Sequence, residues 1–106
     1  MTTAPDNETV SLSQVIGGQG RLSFGRYLQG YRVQQDMPQS EAATLLGISV
    51  AMLSKYENGH KLPSLKLAFA MAQTLGLEAT IALDLLINDQ IRRDDLPFKA
   101  ELKSVS

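Results

Sequence analysis

The stretch "QSEAATLLGISVAMLSKYENG", residues 39–59, sets the tightest limit on what this chain can fold into. Two short apolar-periodic runs, 39–46 and 50–58, flank the four residues Gly47 to Val50. Gly47 can take the positive φ that stops the first helix. Ser49 can cap the second. Ala42, Ala43 and Leu46 share a face of the first helix, and Leu53 and Tyr56, at i and i+3, share a face of the second. A pair of helices this short can cross steeply only if Ala43 is small, Gly47 permits the turn, and Ile48 and Leu53 are apolar enough to lock the pair. All four conditions are met.

The flanking segments are also helical in pattern. Ser23 caps a helix over about Phe24–Gln35, with Phe24, Tyr27, Leu28, Tyr31 and Val33 on its apolar side. Gly25 and Gly30 weaken that helix by ~1 kcal/mol each, so tertiary packing must compensate. Pro38 opens the second helix. Pro63-Ser64 starts a fourth, with Leu65, Ala68, Met71, Ala72 and Leu75 as its buried stripe and Gly76 as its end. Residues 78–85 alternate in a strand-like way, but leucine and alanine content and the length of 78–96 favour a helix. Leu77, Ile81, Leu85, Asn88 and Ile91 would form its face. Residues 1–21 read as a flexible arm and 97–106 as a polar tail.

Composition excludes several classes. The chain has 106 residues, one domain's worth, and no cysteine, so disulfides, thiolate metal sites and thiol nucleophiles are ruled out. Its single histidine has no ligand-spaced partners, and no phosphate-cradling or catalytic motif is present, so neither an enzyme nor a cofactor is expected. The first residues lack the basic and apolar parts of a secretory signal, and no apolar run approaches the ~18 residues of a membrane span. A soluble cytoplasmic protein is the expectation. The net charge of −1 argues at first against nucleic acid. Its distribution argues otherwise: residues 1–20 carry −2, residues 21–66 carry +3 and residues 67–106 carry −2. The positive charge sits where the paired helices lie.

Residues 37–65, "MPQSEAATLLGISVAMLSKYENGHKLPSL", resemble the Cro and lambda-repressor type of helix-turn-helix domain, also called the XRE family. The resemblance rests on Gln39, Ala43, Leu46-Gly47-Ile48-Ser49, Leu53-Ser54, Glu57-Asn58-Gly59 and Pro63-Ser64. "FGRYLQGYR" and "LAFAMAQTLGL" extend it over about residues 23–77. It implies a mainly α, five-helix, lambda-repressor-like DNA-binding domain with a flexible N-terminal arm and a C-terminal extension. The domain would cover 22–77, and 78–96 would dimerise or dock. The third helix would lie in the major groove, with two copies on half-sites one helical turn apart. Position by position, Val50, Ala51 and Lys55 would face bases. Ser49, Met52 and Ser54 would lie beside them. Gln39 would contact the DNA backbone and sometimes a base, and Asn58, His60 and Lys61 would meet phosphates from the following loop. Arg32 and Glu57 would pair as a structural salt bridge.

Two departures stand out. Pro38 occupies the place of the family's usual Ser or Thr cap, and the first turn of the recognition helix offers Val50, Ala51 and Met52, with almost nothing that hydrogen-bonds. Apolar side chains read thymine methyl groups, which leaves Lys55 as the hydrogen-bonding reader with guanine as its target. The expected function is sequence-specific transcriptional regulation, by a repressor acting as a homodimer on duplex DNA. An antitoxin that binds a toxin protein and represses its own operon is the alternative. A protein-interaction domain without DNA binding is a third.

Overall fold

In a computed structural model of the chain, the structure describes residues 22–103 and residue 105. Five helices are present among them: α1 (Phe24–Gln34), α2 (Gln39–Leu46), α3 (Val50–Glu57), α4 (Leu65–Leu75) and α5 (Ala79–Arg93). The expected arm, 1–21, lies outside the described residues. The serine caps act as their positions imply. Ser23, Ser49 and Ser64 each accept a hydrogen bond from the backbone N–H three residues on, at 3.0–3.1 Å. Glu78 does the same for α5, accepting from Thr80 and Ile81. Pro38 makes no side-chain cap bond for α2.

Between α2 and α3, Gly47 has φ +71°. The N–H groups of Gly47 and Ile48 reach back to the carbonyls of Thr44 and Ala43 at 3.2 and 3.0 Å. This double closure stops α2 and turns the chain into α3.

The core is formed where all five helices meet. Phe24, Leu28, Leu53, Met71 and Leu86 are its largest fully buried side chains, and Ala42, Ala43, Ala68, Ala72 and Ala82 let the helices approach between them. Two residues assigned to apolar stripes lie outside it: Val33 is 57 % exposed and Leu65 is 45 % exposed.

The ambiguous stretch is helical, so the strand alternative at 78–85 does not hold. Glu78 caps its first turn, and its length allows two faces. The face turned to the core is the expected one in part: Leu77 and Asn88 are buried and Leu85 packs against the core. Ala82 and Leu86 are buried, whereas Ile81 stays 45 % exposed. The register follows from packing: α5 lies on α1 and α4, and Ala82 is the small residue that permits the approach.

The polar tail is tied down rather than loose. Asp95, at φ +56°, turns the chain back after α5, and the N–H of Leu96 bonds to the carbonyl of Ile91 at 3.0 Å. Asn88 then holds Ala100 from both sides. Its amide nitrogen donates to the Ala100 carbonyl at 3.0 Å, and its Oδ1 accepts the Ala100 N–H at 2.8 Å. Asp84 accepts the N–H of Leu102 at 3.3 Å.

Gly25 marks a close approach of α1 to the backbone of α3. A Cβ there would stand 2.4 Å from the carbonyl oxygens of both Tyr56 and Glu57. The glycine that weakens α1 locally is the one that lets α1 rest on the end of α3. Gly25→Ala should therefore destabilise the protein, because overpacking against backbone costs ~1–3 kcal/mol. Thermal unfolding should show a lower midpoint, by about 4–8 °C per kcal/mol lost. Helix propensity alone would favour alanine by ~1 kcal/mol, so an unchanged or raised midpoint would show that the contact has slack.

Candidate nucleic-acid interface

The surface of α3 divides by helical geometry. Leu53, Tyr56 and Glu57 are buried, and Met52 and Ser54 are half-buried. Val50, Ala51 and Lys55 are exposed. The outward face thus carries two small apolar side chains at the first turn and one ammonium a turn later. Met52 does not belong fully to that face, since its side chain packs against the core. The hydroxyl of Ser49 is taken by the Met52 N–H it caps.

The inner end of α3 is fixed by one carboxylate. Glu57 is 3 % exposed. Arg32 grips it with two bonds, Nε to Oε2 at 2.6 Å and Nη2 to Oε1 at 3.0 Å. The third guanidinium arm, Nη1, donates to the Met37 carbonyl at 2.9 Å, in the turn before α2. Gln39 adds a fourth bond, its Nε2 donating to Glu57 Oε1 at 2.9 Å. Gln39 was expected at the DNA backbone. One N–H of its amide donates to Glu57, and the side chain is half-buried at the start of α2. The geometry is the fork-to-carboxylate arrangement that suits arginine, with charge-assisted bonds on both oxygens.

The loop after α3 is ordered by its own backbone. Asn58 Oδ1 accepts the His60 N–H at 3.0 Å, and the Lys61 N–H donates to the Lys55 carbonyl at 3.3 Å. Asn58, His60 and Lys61 are exposed. The loop therefore folds back beside Lys55 and brings Lys55 and Lys61 to one side of the molecule.

Two contributors were not legible in the sequence. Arg93, at the end of α5, donates to the Gly59 carbonyl at 3.2 Å. Asp89 accepts the N–H of Phe24 at 2.8 Å and so holds the start of α1; it also pairs with Arg92. Both links span dozens of residues, and no local pattern announces them.

A small helical domain with a tightly turned helix pair, an exposed second helix and an adjoining basic loop defines a DNA-binding module. The helix-turn-helix family model matches residues 28–81, about half of the chain, and the chain belongs to that family, in its Cro and lambda-repressor (XRE) branch. It is thus a DNA-binding transcription regulator of this type. No curated protein and no solved structure matches it. The matched residues run from the second turn of α1 to the third residue of α5. Among the described residues no helix is long and apolar enough to cross a membrane.

The buried ion pair makes a sharp energetic expectation. Glu57→Ala would leave the Arg32 guanidinium largely buried and unpaired, which costs ~3–5 kcal/mol. Urea unfolding should show a loss of unfolding free energy of that size, read as a lower midpoint at an unchanged slope. A shift worth less than ~1 kcal/mol would place the pair with ordinary surface bridges.

Proposed function

We propose that this protein is a repressor that binds an inverted-repeat duplex site as a homodimer, with α3 in the major groove. The observation that carries the proposal is the outward face of α3: Val50, Ala51 and Lys55 exposed at the end of a helix whose other side is locked into the core. Val50 and Ala51 suit thymine methyl groups, and Lys55 suits guanine O6 and N7. Asn58, His60 and Lys61 meet the phosphates of the same half-site, Lys61 supplying the charge.

The proline in place of a cap fits this reading. With no side chain accepting from the first turn of α2, its N–H groups remain for a phosphate oxygen. Gln39 then acts chiefly by aligning α2 with Glu57, its own contact to the DNA backbone coming from the second N–H of its amide. Ser49, Met52 and Ser54 shape the floor of the contact and add no strong donor of their own.

Pairing of two copies falls to α4 and α5, where Leu65, Phe69 and Ile81 expose apolar surface outside the core. The toxin-neutralising alternative rested partly on a strand at 78–85 that would pair across a dimer. That stretch is helical, which removes the strand pairing from that alternative and leaves its docking by the arm or by α5 to be tested.

Selection of bound duplexes from a random library with the purified full chain tests the proposal. The expected product is a two-fold repeat with half-site centres about 10 base pairs apart and thymine-rich half-sites. Repeating the selection with Lys55→Ala should relax the preference at one base position per half-site and leave the others intact. No enriched site, or an equal loss of binding to every sequence with Lys55→Ala, would count against it.

A further inference from the structure

Three cations gather around the α3–α4 loop, and only two of them are near it in sequence. Lys55 and Lys61 are linked through the backbone bond already described. The third is Arg93, 34 residues beyond Gly59, whose carbonyl its Nη2 reaches at 3.2 Å. We infer that Arg93 is a DNA-phosphate ligand, so that the backbone footprint of this regulator extends from the loop onto the end of α5. The inference rests on the DNA-binding reading above.

Partner use separates Arg93 from its neighbours. Arg32 is spent on Glu57, and Arg92 on Asp89. Among the described residues Arg93 has no carboxylate partner, and its side chain is exposed. Asp94 and Asp95 follow it in the chain, but neither forms an ion pair with it. A guanidinium has five N–H donors. One carbonyl leaves most of them free, in the planar fork that fits two phosphate oxygens.

The position of Arg93 is also fixed. Ala82 and Leu86 anchor α5 in the core, and Asp89, one turn before Arg93, holds the first N–H of α1 at 2.8 Å. The bond to Gly59 then sets the guanidinium on the loop that carries His60 and Lys61. Such a charge neutralises a phosphate next to the one Lys61 meets. The residues matched by the family model end at 81, so this contact lies beyond the shared part of the fold.

The competing role is a brace: Arg93 holds the loop in shape and never touches DNA. Salt dependence separates the two, because each phosphate contact contributes about 0.9 to the slope of log affinity against log salt. The measurement is binding of the full chain to a short fluorescein-labelled duplex of mixed sequence, by anisotropy, over a salt series. Arg93→Ala should lower the slope by about 0.9 and, between about 50 and 200 mM salt, lose about three- to fourfold less affinity than the parent does. Arg93→Lys should keep the parental slope, as should Arg92→Ala, whose charge is already paired. Far-ultraviolet dichroism confirms that each variant is folded, and Arg93→Gln replaces Arg93→Ala in the same assay should the alanine variant not fold. An unchanged slope on loss of Arg93, with or without weaker binding, overturns the inference and marks a brace. A parent protein with no salt-dependent binding would remove the DNA-binding reading itself, and this inference with it.

Discussion

The carboxylate of Glu57 is the point on which the DNA-facing half of this protein depends. It lies at the last turn of α3, almost wholly out of solvent, and receives bonds from Arg32 on α1 and Gln39 on α2. Arg32 extends the tie to the turn before α2 through the Met37 carbonyl. One ionised group thereby fixes three helices and a turn against one another. Such an arrangement is stable because every partner is present; removal of Arg32 or Glu57 leaves the other as a desolvated, unpaired charge. Gly25 is the steric complement of the same contact, since only a residue without Cβ lets α1 close on the carbonyls of Tyr56 and Glu57.

An anchored inner end explains how α3 can present so little polar chemistry at its outer end. Its placement does not rely on DNA contacts to order it. Leu53 and Tyr56 hold one side in the core, the cap at Ser49 sets the first turn, and the loop folds back to bond Lys55. In the proposed reading, the exposed Val50 and Ala51 supply methyl contacts and a close fit, and the lysine supplies direction. Sequence-dependent DNA shape carries the rest of the specificity.

The helical pattern, the steep turn at Gly47 and the pairing of short helices were legible because each depends on residues close in sequence. Ala43, Gly47, Ile48 and Leu53 satisfy constraints that few other arrangements impose together. The face of α5 was legible only in part: Leu77, Leu85 and Asn88 turn to the core as expected, but Ile81 and Ala82 are both apolar and only the packing partner decides which turns inward. The folded-back tail was missed for a similar reason: Asn88 looks like an ordinary polar helix residue until Ala100 lies alongside it. At the candidate interface, Lys55 and Lys61 were visible from motif spacing. Gln39 was visible too, but its bond to Glu57 depends on the crossing of α2 and α3. Arg93 sits in a segment of net negative charge, and charge averaged along the chain hides a cation that the fold carries to the loop.

The central claim is that the face made by α3 and its following loop is the one that meets DNA. Backbone amide shifts of the isotope-labelled full chain, followed by nuclear magnetic resonance as a duplex is added, test it most directly. The account predicts the largest changes at Val50, Ala51, Lys55 and Asn58 to Lys61, with a second group at the start of α2 around Gln39. Changes centred instead on the outer side of α5, at Ile81, Asp84 and Asn88, with α3 unmoved, would contradict it.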